Sequence, residues 1–178
     1  LSLFCLAGAF FLEVETNPVG FFKADTEISR HFHDIYRDLS GSFPINVVME
    51  TDERDHFENP ANIARIEQLQ QYLETLPGVD KTVSFADYLK LVNYASNRFD
   101  PKFYRLPEEG YEVRMLMNNY TTMLGQDMFD RFMNSEMSKT NIVLLTHISS
   151  SSDFINLRDK VYEHVTQNFS KDLQWEVT

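Results

Sequence analysis

Apolar residues recur along the first half of the chain at two different spacings. Spacings of three and four mark one face of a helix, whereas short runs rich in β-branched residues mark strands. The pattern predicts a helix over 25–39, a strand over 44–51, a helix over 59–76 and a strand over 79–85. Asn59 and Pro60 support the second helix, because they supply a capping side chain and a proline at the first helical position.

A strand–helix–strand pattern returns in the second half of the chain. The spacing there predicts a strand over 141–148, a helix over 153–169 and a closing strand over 173–178. Segment 86–137 shows no alternation of the strand type and predicts a helical insert between the two copies. The duplicated unit predicts an α+β domain of the ferredoxin-like βαββαβ type, a four-stranded antiparallel sheet with two helices. We expect one such domain over 13–178, with its βαβ units at 44–85 and 141–178.

The first twelve residues, LSLFCLAGAFFL, form an uncharged apolar run that ends at Glu13. A membrane-spanning helix needs about 20 apolar residues, so segment 1–12 fits the tail end of such a helix or a membrane-exit segment. A buried strand over 9–14 is the open alternative. Pro18 then prevents any helix from continuing, and the charges that follow are costly inside a bilayer.

The formal net charge of −11 and the single cysteine narrow the classes of function. A nucleic-acid-binding surface is positively charged because it must neutralise phosphates, so this acidic chain is not expected to bind nucleic acid. With only Cys5, neither an internal disulfide nor a cysteine-based zinc site is possible. The chain also lacks phosphate-binding glycine loops, a G-x-S-x-G nucleophile motif and H-E-x-x-H. We therefore predict a protein that is not an enzyme, with no catalytic, cofactor-binding or metal-binding residues.

Methionines are concentrated in the predicted insert. Six of the seven fall between positions 115 and 137, together with two phenylalanines. Methionine is flexible and polarisable, so Met-rich surfaces adapt to varied apolar ligands. The candidate contacts for a hydrophobic substrate are Met115, Met123, Phe129, Phe132 and Met133. The alternative is that these side chains only pack the insert onto the sheet.

Several segments follow one another in an order that resembles a known family. They are VETNPVGFFKAD at 14–25, G-x-x-P-I-x-V-V at 41–48, L-P-G-V at 76–79, S-x-x-D-Y-L at 84–89 and WEVT at 175–178. This order and spacing resemble the large extracytoplasmic loop of the resistance–nodulation–division (RND) superfamily. The resemblance is greatest to the MMPL-type and predicted lipid exporters, including the hopanoid-exporter branch, and it covers nearly the whole chain.

The resemblance implies a periplasmic porter domain of a proton-driven exporter of lipids or other hydrophobic molecules. It places this domain in the periplasm, on a protein of the bacterial inner membrane, as the second extracytoplasmic loop rather than the first. The implied partners are the membrane-embedded remainder of the same polypeptide and a hydrophobic or lipid substrate. A homo-oligomer or an accessory periplasmic protein is a further open partner. The proton-relay acids of the family lie in membrane helices, so none is carried over to this chain.

Two other classes of protein stay open at this point. One is an extracytoplasmic ligand-sensing or interaction module anchored by a membrane helix. The other is a ferredoxin-like enzyme such as an acyl-phosphate hydrolase, which needs an arginine-bearing anion loop at a strand–helix junction. Arg54 lies near one junction, but neither junction presents a convincing loop of that kind.

Overall fold

A computed structural model describes residues 22–23, 25–38 and 43–178. The predicted membrane-exit segment 1–12 and the Asn17–Pro18 step lie outside these residues, so both stay predictions. Helix α1 spans Glu27–Asp38, two residues inside the predicted start. Ile28, which the spacing assigns to the apolar face of this helix, is 57% exposed.

Four strands and five further helices follow α1 in an order close to the predicted one. They are β1 (Phe43–Glu50), α2 (Pro60–Leu73), β2 (Val79–Ser84), α3 (Phe85–Ser96), α4 (Gly110–Leu124), α5 (Gln126–Asp130), β3 (Lys139–Thr146), α6 (Ser151–Asn168) and β4 (Gln174–Val177). Short 3₁₀ turns at His56–Glu58 and Pro101–Phe103 join them. The predicted and observed strand and helix ends differ by no more than three residues, because helix and strand ends are the least certain part of a prediction from sequence.

The strands form one four-stranded sheet in the order β2-β3-β1-β4. Each neighbouring pair is antiparallel, with Val47 opposite Ile142 and Val177, and Val83 opposite Val143. The predicted α+β class and its four-stranded antiparallel sheet are therefore confirmed. Strands β1 and β3, each the first strand of a predicted βαβ unit, lie side by side at the centre.

One face of the sheet carries the core. Strand side chains alternate between the two faces, and Val47, Met49, Ile142 and Leu144 are almost completely buried on the inner one. Two crossover helices supply the other half of the core, each through one apolar face. Their buried residues are Ile63, Ile66, Leu69 and Leu73 on α2, and Leu157, Val161 and Val165 on α6.

The helix starts follow from local side-chain chemistry. The Asn59 side chain accepts a hydrogen bond from the backbone N–H of Ala61 at 3.0 Å, and Pro60 follows it as predicted. Ser150 accepts one from Asp153 at 3.1 Å, so the serine-rich run before α6 supplies its cap. Each such cap satisfies a backbone donor that has no partner inside the helix, and is worth about 1 kcal/mol.

The segment between β2 and β3 is helical and has an aromatic centre. Phe85, Tyr120 and Phe129 meet with ring centroids 5.7 to 5.8 Å apart and bring α3, α4 and α5 together. The Tyr120 hydroxyl donates to the carbonyl of Met128 at 3.1 Å, so its polar end is satisfied. Burial raises the pKa of Tyr120 well above its usual value, which keeps the phenol neutral.

The chain enters and leaves the sheet at the same end. Because β1 and β4 are antiparallel neighbours, Phe43 at the start of β1 lies toward the end where β4 finishes. Asn46 and Thr178 exchange backbone hydrogen bonds of 2.7 and 3.0 Å there. Strand β2 ends and β3 begins at the other end of the sheet. The helical segment between them is therefore attached to the end of the sheet opposite Phe43 and Thr178.

Candidate functional site

The outer face of the sheet is only partly covered. Along β1 the outward positions are Pro44, Asn46, Val48 and Glu50, of which the middle two are half-buried. Cross-strand partners share a face, so the register extends this surface across β3 and β2. Its further members are Lys139, Asn141, Val143 and Leu145 on β3, and Lys81 and Val83 on β2.

A groove of about 400 Å³ runs along this outer face beside the start of β3. Its floor includes Asn46, Val48 and Asn141, and Thr178 stands next to them. The connection from α5 to β3, residues 130–134, forms the opposite wall. Apolar and polar groups therefore face the same space, a common property of sites that bind small amphiphilic molecules.

Two asparagines meet in the groove floor. The Asn141 Nδ2 group donates a hydrogen bond to Asn46 Oδ1 at 3.0 Å. Asn141 Oδ1 is buried and is the one buried side-chain oxygen or nitrogen without a hydrogen-bond partner among the described residues. An unpaired buried polar atom costs about 1–3 kcal/mol, so Asn141 Oδ1 lowers the stability of the folded chain.

The wall is a hairpin built around Asn134. Its side-chain oxygen accepts hydrogen bonds from the backbone N–H groups of Ser138 and Lys139 at 2.9 and 3.0 Å. The Thr140 hydroxyl donates to the carbonyl of Phe132 at 2.8 Å, and the Asn141 N–H donates to the same carbonyl at 2.9 Å. These bonds hold the wall at a fixed distance from the strand.

Charges around the groove are balanced. Lys139 forms an ion pair with Glu50 at 2.8 Å, and that hydrogen bond and charge raise the pKa of Lys139. On the wall, Asp130 accepts a hydrogen bond from Gln126 at 2.7 Å and is followed by Arg131, which forms no ion pair with a described carboxylate. The two cations and two anions leave no net charge, although the whole chain is strongly acidic.

The five predicted substrate contacts fall into two groups. Phe129, Phe132 and Met133 are 3%, 6% and 2% exposed, so their side chains belong to the core. Met115 and Met123 lie on the outer side of α4 and are each 52% exposed. Phe132 and Met133 also border the groove, whereas the other three do not line it. The structure thus does not bring the five together in one surface, and their contact with substrate stays a prediction.

Sequence reasoning missed Asn46 and Asn141. A signal was present at Asn46, because asparagine is depleted in strands and Asn46 interrupts an otherwise apolar run, whereas Asn141 only begins one. Periodicity shows only that they face outward together with Val48 and Val143. Their contact depends on the register between β1 and β3, which the sequence does not specify by itself.

A second cleft, of about 250 Å³, lies between the start of β2 and α6. His147 and Asp80 form an ion pair at its edge when the histidine is protonated, and Gly78 and Lys160 line it. Gly78 adopts a φ of +85°, and a Cβ there would lie 2.9 Å from Ile148 Cγ1. The glycine therefore allows the α2–β2 turn to pass close to the end of β3.

Comparison of the sequence with protein-family models and with characterised proteins gives no match. Within the described ranges, none of the helices combines the length and the apolar character needed to cross a membrane. Those residues also contain no cluster of three or more histidine, cysteine, aspartate or glutamate side chains arranged to hold a metal ion. The groove beside Asn46 and Asn141 is the site that the geometry favours.

Proposed function

We propose that the chain is the periplasmic porter domain of a proton-driven RND-type exporter of lipids or other hydrophobic molecules, at the bacterial inner membrane. The observation that carries this proposal is the arrangement of β1 and β4. They are antiparallel neighbours joined at Asn46 and Thr178, so the chain reaches and leaves the sheet at one end. This arrangement suits a domain inserted between two membrane helices, because both connections can then return to the same bilayer.

The sheet order supports a ferredoxin-like assignment. In a βαββαβ fold the first strands of the two units pair at the centre, and the second strands take the edges. The order β2-β3-β1-β4 agrees with this arrangement, with α2 and α6 as the crossover helices. The three helices between β2 and β3 leave from the far end of the sheet, which favours a role for them away from the membrane.

The role of the domain is to receive an amphiphilic substrate and pass it on, without chemistry on that substrate. The groove on the outer sheet face offers apolar and hydrogen-bonding groups side by side, and the buried methionines behind its wall allow small adjustments of shape. The side chains of Phe132 and Met133 belong to the core, so we expect the substrate to contact only those of their atoms that border this groove. Met115 and Met123 offer a second exposed surface on α4.

The complete gene tests the proposal first. An exporter requires a series of apolar segments of about 20 residues on both sides of this domain. A single such segment joined to a signalling domain would instead establish the anchored sensing module. Fractionation of cells that express the complete protein, followed by protease treatment of spheroplasts, should cleave this domain from outside. Protection of the domain in intact spheroplasts would overturn the periplasmic assignment.

A further inference from the structure

The cleft between the start of β2 and α6 contains a cation without a counter-ion. We propose that this cleft binds a small, singly charged amphiphile with a carboxylate head, held by Lys160 and Asn156. The inference goes beyond the proposed function, because it concerns a second site, away from the groove on the outer sheet face. It holds whether or not the chain is part of an exporter.

Lys160 differs from the other half-buried cations. Among the described residues, every other half-buried lysine or arginine forms an ion pair with a carboxylate; these are Lys90, Arg105, Lys139 and Arg158. Lys160 is half-buried and lines the cleft, but its ammonium group forms no ion pair or hydrogen bond with a described residue. A charge that is partly removed from water is stabilised by an opposite charge beside it, so the cleft favours an anionic ligand.

A second hydrogen-bond donor lies one helical turn before Lys160. Residues four apart share a face of a helix, and Asn156 and Lys160 both line the cleft from α6. Asn156 is exposed, and its side-chain amide forms no hydrogen bond with a described residue. A carboxylate has two acceptor oxygens, so it can accept from the ammonium group and from the amide at the same time.

Acidic residues at the cleft limit the charge that a ligand can carry. Asp153 lines the cleft about 10 Å from Lys160 along the helix axis, and its carboxylate accepts a hydrogen bond from the Ser150 hydroxyl at 2.8 Å. Asp80 lies at the edge of the cleft, beside His147. One ammonium group balances the single charge of a carboxylate. The second charge of a phosphate monoester would be repelled by the two aspartates.

The rest of the wall is apolar and suits a short tail. Leu76, Ile148 and Leu157 line the cleft and are largely buried. The volume of about 250 Å³ lies below the about 300–1,000 Å³ that is typical of sites for drug-sized ligands. A short-chain carboxylic acid therefore has the size, the charge and the apolar surface that the cleft accepts.

The test is a titration of the ¹⁵N-labelled 178-residue chain near neutral pH, followed by NMR of backbone amides. Three probes have the same carbon chain: hexanoate, 1-hexanol and hexyl phosphate. We expect hexanoate to shift the amides of Gly78, Ile148 and Lys160 in a saturable manner. Hexanol, which lacks the charge, should bind at least about tenfold more weakly, and hexyl phosphate should bind no more tightly than hexanoate.

Three variants complete the experiment. Lys160→Met keeps the apolar stem and removes the charge, so it should weaken hexanoate binding at least about tenfold and leave hexanol binding unchanged. Lys160→Arg keeps the charge and should retain binding within about threefold. Lys171→Met is the matched control, because it makes the same change of net charge at an exposed lysine outside the cleft, and it should bind hexanoate as the wild type does.

Several results would overturn the site. They are equal hexanoate binding by Lys160→Met and the wild type, equal losses in Lys160→Met and Lys171→Met, tighter binding of hexyl phosphate than of hexanoate, and cleft amides that no probe shifts. If Lys160→Met fails to fold, added salt decides with the wild-type chain. Sodium chloride should weaken the binding of hexanoate but not of hexanol, and equal salt dependence would refute the role of Lys160.

Discussion

Gln70 connects α2 to β2 and α3 through a buried set of hydrogen bonds, and its removal should weaken the whole fold. The Gln70 side chain is 6% exposed. Its amide nitrogen donates to Thr82 Oγ1 at 3.1 Å and to Asp87 Oδ2 at 2.6 Å. Its oxygen accepts from the Ser84 hydroxyl at 2.7 Å. Ser84 and Asp87 also form the capping box that starts α3. Gln70 therefore supports the start of α3 as well.

The variant Gln70→Leu keeps most of the side-chain volume and removes all three hydrogen bonds. Two of these bonds join neutral groups and are worth about 1 kcal/mol each, and the one to the Asp87 carboxylate is worth about 2 kcal/mol. Leucine regains about 1 kcal/mol through apolar burial. We therefore expect the free energy of unfolding to fall by about 3 kcal/mol.

Urea denaturation followed by far-ultraviolet circular dichroism measures this loss. With a slope of about 2 kcal/mol per molar urea, the midpoint should fall by about 1.5 M. Gln71→Leu is the matched control, because Gln71 is the next residue on the same helix and is exposed. Its midpoint should stay within about 0.25 M of the wild type, since exposed substitutions change stability by about 0.5 kcal/mol or less. Equal midpoints for the two variants would refute the role assigned to Gln70.

Three further changes test the turn, the core and one titrating group. Gly78→Ala should lower stability by about 1–3 kcal/mol in urea denaturation, because alanine is strained at a φ of +85° and its Cβ would crowd Ile148. Leu144→Ala should cost about 3–5 kcal/mol by the same measurement, because Leu144 is fully buried on the central strand β3. His164 stacks on Tyr72 with ring centroids 3.6 Å apart, and burial lowers the pKa of His164. Its unfolded state therefore binds protons more readily, so stability should fall as the pH drops below about 6.5, and His164→Phe should remove this part of the pH dependence.

Each of these changes has a comparison within the chain. Gly125 has a φ of +87° and a ψ of 158°, a conformation found essentially only at glycine, and open space around its Cβ position, so Gly125→Ala measures backbone strain without crowding. Leu91 is 42% exposed, so Leu91→Ala should cost much less than Leu144→Ala. Equal losses for Leu91→Ala and Leu144→Ala would contradict the packing described here, as would a Gly78→Ala variant with wild-type stability. A His164→Phe variant with the wild-type pH profile would show that the stacked histidine does not contribute to it.

The sequence was most informative where local chemistry decides the structure. The Asn59–Pro60 start of α2, the serine cap of α6 and the apolar spacing of both helices follow from short-range effects that are visible in the residues themselves. The apolar run of β3 is nearly continuous and predicts a strand covered on both faces, so the structure and not the sequence shows that its residues alternate between buried and half-buried. The four-stranded antiparallel sheet could be predicted because two βαβ units bury their apolar faces most simply in one such sheet.

The candidate site could not be predicted in the same way. Methionine and phenylalanine are used both in cores and in binding surfaces, so composition alone does not separate Phe129 from Met115. The structure separates them, because Phe129 closes the aromatic centre with Phe85 and Tyr120 while Met115 faces outward. The contact between Asn46 and Asn141 depends on the register between β1 and β3, and the groove beside them depends on the hairpin at 130–134. Both bring together residues that are far apart in the sequence.

Lipid analysis of a strain that lacks the complete gene tests the central claim most directly. The inner and outer membranes are separated, and mass spectrometry compares their lipids with those of the parent strain and of a strain complemented with the gene. If the chain is part of an exporter, one class of lipid should accumulate in the inner membrane of the deletion strain, and the complete gene should restore its distribution, whereas a copy without residues 43–178 should not. Identical lipid distributions in all four strains would contradict the account.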